Sequence, residues 1–175
     1  MADPSMLAAK IKLLVLDVDG VLTDGGLYYD DEGRVSKRFN VQDGLGIKIA
    51  QKSGLDIAVI TGLNQPVVEL RIRELGITEY HPGHHDKAPV LQDICKKKGI
   101  DLDECAYLGD DWVDITVMKL VGLPMTVPNA RPELFDLALW TSKRNGGDGA
   151  VRDAIDFILK ATGAFDAAWS AWSGV

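Results

Sequence analysis

The chain has 175 residues, of which 46% are hydrophobic and 26% are charged, a composition that suits one globular domain with a sizeable core. Its net charge of −7 argues against a nucleic acid or an anionic membrane as partner, because no segment concentrates enough lysine and arginine to offset repulsion from phosphates. The first ten residues resemble neither a signal peptide nor a membrane span, so we expect a cytoplasmic protein.

Short apolar runs separated by helical patterns predict that strands and helices alternate along the chain. Six strands are predicted, at residues 12–18, 55–60, 77–80, 104–108, 124–127 and 137–140. Five helices are predicted between and after them, at residues 44–52, 66–75, 87–98, 112–120 and 150–161. This order implies right-handed crossovers, so we expect a single Rossmann-like α/β domain with a mostly parallel sheet and helices on both faces.

One segment interrupts the alternation, between the first strand and the first helix. Residues 27–29 and 34–39 flank a turn-forming Asp-Asp-Glu-Gly sequence, which predicts a small β-hairpin insertion at about residues 25–40. A lone hairpin is marginally stable in water, so we expect it to pack on something, such as another copy of the chain.

The remaining division of the chain follows from these elements. We predict an N-terminal tail at residues 1–10, the α/β domain at 11–162 and a C-terminal tail at 163–175. The C-terminal tail is rich in alanine and serine and carries two tryptophans. For this tail we favour a frayed end over a short helix that docks on a neighbour.

The first predicted strand ends in two carboxylates, Asp17 and Asp19, followed by a glycine. The carboxyl edge of the sheet is where open α/β folds bind their ligands. Because the backbone begins to turn at the end of the strand, both side chains can point to one place in the crevice. Two neighbouring carboxylates are unfavourable unless a cation lies between them, so this pair predicts a ligand site.

Two further positions add an anion-binding hydroxyl and a cation to the same edge. Thr61 and Gly62 end the second predicted strand, where a hydroxyl and backbone N–H groups suit an anion. Lys87 opens the third predicted helix, from which its ammonium group can neutralise a phosphate or the acids. Only 25 residues separate Thr61 from Lys87, enough for a helix and a strand but not for a cap domain. We therefore expect an open site.

The fourth predicted strand runs into an acidic cluster at residues 109–114. A glycine allows a tight turn there, and Asp110, Asp111 and Asp114 crowd one junction between strand and helix. These carboxylates need a divalent cation. An oxygen-only cluster without histidine or cysteine favours Mg²⁺ and disfavours zinc.

The histidines and cysteines give no comparable pattern. His81, His84 and His85 lie in one loop without a matching partner, so we expect a solvated or substrate-contacting loop rather than a metal site. Cys95 and Cys105 have no metal-ligand spacing, and we expect two ordinary thiols in a reducing compartment.

Four segments at these strand ends resemble, in order and spacing, the motifs of the haloacid dehalogenase superfamily of phosphatases. They are DVDGVLTD at residues 17–24, ITG at 60–62, the lysine at 87 and GDDWVD at 109–114. Over nearly the whole chain the sequence is also similar to the small capless sugar-acid phosphatases that hydrolyse 3-deoxy-D-manno-octulosonate 8-phosphate (KDO 8-phosphate). That similarity includes LTDG before the hairpin, a DG pair at 43–44 and GGDGAVRD at 146–153.

The resemblance implies roles for residues at the strand ends. Asp17 would attack phosphorus and form an aspartyl-phosphate, while Asp19 would protonate the leaving alkoxide and then take a proton from the hydrolytic water. Thr61 and Gly62 would bind the phosphoryl group. Lys87 would offset charge on the nucleophile and on the phosphate.

The resemblance also implies a Mg²⁺ ion. Asp17, the backbone carbonyl of Asp19 and Asp110 would hold it. Asp111 and Asp114 would support these ligands from outside, with direct ligation by one of them as the alternative.

The implied substrate is a sugar-acid phosphate, with KDO 8-phosphate first and 2-keto-3-deoxy-nonulosonate 9-phosphate as the alternative. Relatives acting on the first usually continue the second motif with arginine, and those acting on the second carry glutamate. This chain has Leu63 at that position, which cannot supply a polar contact. Either another cation binds the sugar-acid carboxylate, the candidates being Arg34, Arg38, Arg144 and Arg152, or the substrate differs.

Members of that family are homotetramers. Aspartyl-phosphate chemistry profits from the exclusion of water, and the predicted site is open in one subunit. The resemblance therefore implies that a neighbouring subunit covers the crevice with its hairpin and C-terminal segment.

Readings without catalysis remain as alternatives. Taken singly, Asp17 or Asp110 could cap a helix and Lys87 could lie on the surface of one. The presence of all four motifs in order argues strongly against this alternative. A phosphorylation-dependent receiver domain also combines acids, a threonine and a lysine around Mg²⁺, but it lacks an acid at the position of Asp19 and places its lysine late. A non-catalytic scaffold is expected to have lost one of these residues.

Overall fold

The apolar strand β1 (Leu13–Leu16) lies inside a six-stranded sheet in the computed structural model, which describes residues 3–174. Strands β2 (Tyr28–Tyr29) and β3 (Val35–Ser36) form a separate antiparallel hairpin. The sheet is completed by β4 (Asp56–Thr61), β5 (Glu79–Pro82), β6 (Cys105–Gly109), β7 (Leu123–Thr126) and β8 (Trp140–Thr141). Its order is β5-β4-β1-β6-β7-β8 with every pairing parallel, which confirms the predicted parallel architecture.

Helices cover both faces of the sheet because alternate strand residues point to opposite sides. The helices are α1 (Pro4–Ala8), α2 (Val41–Lys52), α3 (Pro66–Leu75), α4 (Ala88–Lys98), α5 (Ile115–Met118), α6 (Pro132–Phe135), α7 (Ala150–Ala161) and α8 (Phe165–Ser173). Leu14 and Leu16 share one apolar cluster with buried residues of α2, α3 and α7. Leu13 and Val15 share the second cluster with buried residues of α4, α5 and α6. Of the helices that the structure describes between residues 3 and 174, none is both long and apolar enough to cross a membrane.

The strand order determines where a ligand can bind. From β1 the chain passes to β4 and β5 on one side of the sheet, and then returns to β6 on the other side. The two connections diverge there, which opens a crevice outside the carboxyl ends of β1 and β6. Asp17 follows β1 directly and Asp110 follows β6 directly, so both acids lie at this crevice. Between Thr61 and Lys87 the chain forms only α3 and β5, as expected for a fold without a cap domain.

The hairpin is present within the predicted insertion. Its turn is closed by Asp30, whose Oδ1 accepts hydrogen bonds from the backbone N–H groups of Glu32 and Arg34. Tyr28 and Tyr29 form β2, which is referred to as the outer arm of the hairpin. Both are more than half exposed, so this arm presents an aromatic surface. An isolated bridge between Thr23 and Phe39 joins the base of the hairpin to the loop after β1.

The structure corrects the predicted helix at residues 112–120. A 3₁₀ turn (Trp112–Asp114) comes first, and the α-helix proper spans only four residues. The reason is local, because the Asp114 carboxylate folds back and accepts the backbone N–H groups of Asp110 and Asp111. Similarly, β8 begins three residues later than predicted, since the N–H groups of Leu137 and Ala138 bond to the end of α6.

Both segments predicted as tails contain a helix within residues 3–174. In the N-terminal segment, α1 buries Ala8 completely against the domain. At the other end we expected fraying, but α8 is a helix whose Phe165 and Ala168 pack against the core. The ammonium of Lys52 lies 4.5 Å from the centre of the Trp172 ring, a cation–π contact that adds to this docking.

Candidate active site

Three carboxylates meet at the crevice between β1 and β6. Asp17, Asp110 and Asp114 each offer an oxygen atom, and these oxygens lie within 4.8 Å of one another. Asp114 is completely buried and Asp17 nearly so. The acids predicted from two different strand ends are therefore close neighbours in the structure.

A buried lysine connects two of these acids. Lys87 is the N-cap residue of α4, and its side chain has no contact with solvent. Its Nζ lies 2.8 Å from Oδ1 of Asp17 and 2.7 Å from Oδ1 of Asp114. It also donates to the hydroxyl of Tyr107, which in turn donates to Oδ1 of Asp114 at 2.6 Å. The positive charge of Lys87 thus offsets the negative charges of Asp17 and Asp114 through direct contact, and it offsets that of Asp110 less.

The backbone around the third acid shows why the sequence folds this way locally. Oδ2 of Asp114 accepts the N–H groups of Asp110 at 2.9 Å and of Asp111 at 3.2 Å. A Cβ atom on Gly109 would overlap the Asp114 side chain, so glycine is needed at the end of β6. Asp111 points elsewhere and accepts the N–H of Trp112. Asp114 therefore has a bonding partner for each oxygen, whereas Asp111 caps the following turn.

Burial and crowding shift the acid equilibria of the cluster. Burial, assisted by the Asp114 charge, raises the pKa of Asp17 to about 7, although Lys87 acts in the opposite direction. Burial and the charges of Asp17 and Asp114 raise the pKa of Asp110 to about 8. Burial opposes the charge on Lys87, but Asp17 and Asp114 outweigh it and raise the lysine pKa. Full ionisation of the three acids would place three negative charges beside the single positive charge of Lys87, and this crowding contributes to the raised pKa values of Asp17 and Asp110.

The residues present fit a divalent cation. Oδ1 of Asp110 is buried and has no hydrogen-bond partner among residues 3–174. A Cβ atom on Gly20 would overlap the Asp110 carboxylate, so the glycine keeps the space beside this acid open. An orphaned carboxylate oxygen, two further carboxylates and raised acid pKa values together describe an oxygen-donor site for a hard cation such as Mg²⁺.

Asp19 follows Asp17 by two positions but does not belong to the group of acids whose oxygens lie within 4.8 Å of one another. Oδ1 of Asp19 accepts the ammonium of Lys37 and, at 3.4 Å, the hydroxyl of Thr23. The Asp19 side chain is 28% exposed, in contrast to the buried Asp17. The two acids of the first motif thus have different surroundings, one buried against Lys87 and one facing the hairpin.

Thr61 and Gly62 border the crevice from β4. Thr61 is the last residue of the strand and is almost fully buried, and its carbonyl accepts the N–H of His84. A Cβ atom on Gly62 would lie 3.1 Å from the ring of His85, so the histidine loop closely covers this turn. His81 instead pairs with Glu79 at 3.1 Å.

The two hairpin arginines predicted to bind substrate make other contacts. Arg34 pairs with two acids of its own turn, and its side chain is 68% exposed. Arg38 lies 3.7 Å from both Asp24 and Asp148, at the outer edge of the loop after β1. Their exposure leaves both side chains accessible to a ligand.

The other two arginines line a groove between α2 and α7. Arg144 and Arg152 border this groove together, and Nε of Arg152 pairs with Asp156 at 2.8 Å. Within residues 3–174, none of the four predicted arginines forms an ion pair with Asp17, Asp19 or Asp110.

Sequence reasoning missed several residues at this site. Tyr107 was visible only as a polar residue within an apolar strand, a weak signal for a partner of Lys87. The sequence does not distinguish Lys37 from its neighbours Arg34 and Arg38, both of which are exposed. Asn129 donates to the carbonyl of Gly20 at 2.9 Å and accepts the N–H of Gly146 at 2.7 Å, which ties two loops together. No sequence pattern signalled the hydrogen bond between Asn129 and Gly20, which are 109 positions apart.

Comparisons with known proteins agree with this geometry. The family model of haloacid dehalogenase-like hydrolases matches residues 59–155. The 3-deoxy-D-manno-octulosonate 8-phosphate phosphatase of Escherichia coli is 42% identical over 167 residues, covering 95% of this chain and 89% of that protein. The phosphatase of the same name from Yersinia pestis is 41% identical over 154 residues, covering 88% of this chain and 82% of that protein.

Solved structures show the same similarity. The crystal structure of the Moraxella catarrhalis 3-deoxy-D-manno-octulosonate 8-phosphate phosphatase, in complex with magnesium, phosphate and KDO, has a TM-score of 0.95 and 40% identity and covers 98% of this chain and 99% of that one. The cobalt-bound Haemophilus influenzae phosphatase has a TM-score of 0.87 and 36% identity, covering 91% and 93%. The chain therefore belongs to the haloacid dehalogenase-like hydrolases and, within them, to the family of the 3-deoxy-D-manno-octulosonate 8-phosphate phosphatases.

Proposed function

We propose that this phosphatase hydrolyses KDO 8-phosphate to the free sugar acid and inorganic phosphate. The observation that carries the proposal is the placement of Asp17 at the crevice, held by Lys87 and close to Asp110. A carboxylate beside a fixed cation, next to a site for a divalent ion, suits attack on a phosphate ester. Two relatives named above, over 40% identical to this chain, carry the name of this activity.

In the first step, a carboxylate oxygen of Asp17 attacks phosphorus and the phosphorus–oxygen bond to the sugar breaks. Asp19 gives its proton to the departing sugar oxygen. The products of this step are the free sugar acid and a phosphoryl group bonded to Asp17. The nearly complete burial of Asp17 limits access of stray water to that bond.

In the second step, water attacks the phosphorus atom. Asp19, now a carboxylate, takes a proton from this water, and the bond between phosphorus and Asp17 breaks. Inorganic phosphate leaves and both acids return to their starting states. Asp19 is the acid with accessible surface, as an exchange of protons with substrate and water requires.

Charge is offset around the phosphoryl group by the remaining residues. The hydroxyl of Thr61 and the N–H groups near Gly62 bind phosphoryl oxygens, and Lys87 stabilises the attacking carboxylate. Asp17, Asp110 and the backbone carbonyl of Asp19 would hold Mg²⁺, which supplies positive charge to the transferring group when bound. Asp114 orients Lys87 and the turn after β6 through its hydrogen bonds, and Asp111 supports that turn.

One residue of this chain departs from the sequence pattern expected for an enzyme that acts on KDO 8-phosphate. Leu63 is partly exposed beside the Thr61 turn and cannot bind the sugar-acid carboxylate. In this proposal one of four arginines binds it instead, namely Arg34, Arg38, Arg144 or Arg152. The nine-carbon substrate 2-keto-3-deoxy-nonulosonate 9-phosphate is the second candidate.

The proposal also includes the assembly and the location. We infer a cytoplasmic homotetramer in which the hairpin of one subunit covers a neighbour's crevice. Support comes from the open crevice, since the chain forms no cap domain between Thr61 and Lys87, and from the exposed aromatic pair Tyr28 and Tyr29. A cover from a neighbour would exclude water during the first step.

A phosphate-release screen tests the activity and the substrate. Purified enzyme with Mg²⁺ is given eight-carbon and nine-carbon keto-sugar-acid phosphates and simple sugar phosphates, and KDO 8-phosphate is expected to give the highest kcat/KM. Asp17→Asn should lower that rate at least about 1,000-fold with the fold retained. Asp136→Asn, on the exposed surface, is the matched control and should keep the wild-type rate. Wild-type release by Asp17→Asn would refute the nucleophile, and a higher kcat/KM for another ester would refute the substrate.

A further inference from the structure

One lysine of the hairpin differs from its neighbours. Lys37 follows β3 directly, and its side chain is fully shielded from solvent, whereas the side chains of Arg34 and Arg38 are more than half exposed. Burial of an ammonium group is unfavourable unless an opposite charge accompanies it. The partner of Lys37 is Oδ1 of Asp19, the acid proposed above to exchange protons.

The two oxygens of that carboxylate have unequal surroundings. Oδ1 accepts both Lys37 and the hydroxyl of Thr23, and the Thr23 hydroxyl also lies 3.3 Å from the carbonyl of Val18. Within residues 3–174, the side-chain hydrogen bonds of Asp19 are both made by Oδ1 rather than Oδ2, and the side chain retains solvent access. One oxygen is therefore held and the other is free.

We propose that Lys37 is a positioning residue for the hydrolysis. It holds Oδ1 of Asp19, so that Oδ2 is presented to the leaving oxygen in the first step and to water in the second. Lys37 can donate to Oδ1 in both steps, because the proton that Asp19 gives and takes is carried by Oδ2. This inference rests on the proposed role of Asp19 and extends it to a residue outside the four motifs.

The inference also assigns the hairpin to the active site of its own subunit. The Thr23–Phe39 bridge fixes the hairpin base to the loop that carries Asp19, and Lys37 lies two residues before that bridge. Lys37 thus serves the crevice of its own subunit, whereas Tyr28 and Tyr29 on the other strand are more than half exposed. A deletion of the whole hairpin would remove both contributions at once, so the test must be a point substitution.

The test compares esters whose leaving groups differ in their need for a proton. In Lys37→Met, kcat for KDO 8-phosphate should fall about 100-fold, within the usual range for losing acid–base catalysis. The first-turnover burst of nitrophenol from p-nitrophenyl phosphate should slow less than about tenfold, because nitrophenolate departs without a proton. Lys37→Arg should recover part of the KDO 8-phosphate rate. Equal loss on both esters, or no loss, would overturn the inference.

A double substitution tests whether Lys37 acts through Asp19. Lys37→Met combined with Asp19→Asn should be no slower than Asp19→Asn alone, and multiplied losses would contradict the proposal. The double variant also removes both charges of this ion pair together, so it remains informative if Lys37→Met alone folds poorly. Lys119→Met is the matched control, since this exposed lysine forms no ion pair in the described part of the chain.

Failure of this inference is distinguishable from failure of the proposed function. If Asp17→Asn retains phosphate release, the nucleophile and with it the proposed mechanism are wrong. If Asp17→Asn is inactive while Lys37→Met turns over KDO 8-phosphate as the wild type does, only the role of Lys37 is wrong.

Discussion

Nζ of Lys87 lies 2.8 Å from Oδ1 of Asp17, although the two residues are 70 positions apart in the chain. The bond joins the N-terminus of α4 to the end of β1, and both side chains are buried. Lys87 also bonds to Asp114, so one ammonium is shared between two carboxylates. Oδ1 of Asp110 has no hydrogen-bond partner among residues 3–174, and burial and the neighbouring acid charges raise the pKa of Asp110 to about 8.

The first prediction concerns the pH dependence of Mg²⁺ binding. Burial raises the pKa of Asp17 to about 7 and, together with the neighbouring acid charges, that of Asp110 to about 8. Because a metal ligand must be deprotonated, protons compete with the ion below these values. The apparent Kd for Mg²⁺ should therefore rise roughly tenfold for each proton displaced when the pH falls by one unit below about 7.

Calorimetric titration at pH 6, 7 and 8 measures this effect. Repeating the titration in buffers with different ionisation enthalpies counts the protons released on binding. A constant Kd over this range, with no proton release, would contradict the proposed ligand set.

The second prediction concerns stability without the ion. The Asp110 carboxyl has a pKa of about 8 in the folded protein and 3.8 as its ordinary value, so the folded state binds more protons between these limits. Stability without Mg²⁺ should then fall as the pH rises from about 4 to about 8. Asp110→Asn removes one such group, so the stability of this variant should decrease less with rising pH than that of the wild type. A difference of 1 kcal/mol should change Tm by about 2–4 °C.

Thermal unfolding in the presence of a chelator checks this prediction at pH 6 and pH 8. Added Mg²⁺ should raise Tm at pH 8 for the wild type and much less for Asp110→Asn. Asp136→Asn, which changes an exposed carboxyl, should follow the wild type at both values. The prediction fails if Asp110→Asn and the wild type show the same pH slope and the same response to Mg²⁺.

The third prediction concerns the hydroxyl of Tyr107. This buried group donates to Oδ1 of Asp114 at 2.6 Å and accepts from Lys87 at 3.0 Å. Tyr107→Phe should lower the free energy of unfolding by about 1.5–3 kcal/mol, the usual range for a hydrogen bond to a charged group. Because Lys87 keeps both carboxylates, kcat should fall by no more than about tenfold.

Tyr80→Phe provides the comparison for this change. The Tyr80 hydroxyl is buried and has no partner among residues 3–174, so its removal should leave stability unchanged or slightly higher. Denaturant unfolding of both variants gives the two values. Equal losses for Tyr80→Phe and Tyr107→Phe would show that the contacts of Tyr107 contribute nothing specific.

Much of the site was predictable because parallel strands share an edge. Asp17, Thr61 and Asp110 each follow an apolar run, and Lys87 follows the run before α4, so their positions in the sequence imply positions at one edge of the sheet. The order of these runs also implied the parallel sheet. Such inferences need only local periodicity and the handedness of crossovers.

What could not be predicted depends on packing between distant segments. The buried state of Lys37 arises from how the hairpin folds over the loop after β1, and a two-residue strand pair carries no signal for that orientation. The break in the helix at 112–120 has a similar origin, because the carboxylate of Asp114 competes with the helical backbone for N–H groups. A side chain that accepts hydrogen bonds from nearby backbone N–H groups can thus shorten a helix that the apolar periodicity predicts.

The last prediction concerns the outer arm of the hairpin. Tyr28 and Tyr29 are 53% and 64% exposed and form β2, whereas Lys37 follows the other strand of the hairpin, β3. Replacing both with serine removes apolar surface but keeps Lys37, so the subunit's own crevice stays intact. If a neighbour is held there, light scattering should show a species smaller than the wild-type assembly, and KDO 8-phosphate turnover should fall about tenfold or more as water enters the site. Met6→Ser removes a similarly exposed apolar side chain from α1 and should change neither size nor rate. A tyrosine double variant with the size and the full turnover of the wild type would show that this arm covers no neighbouring site.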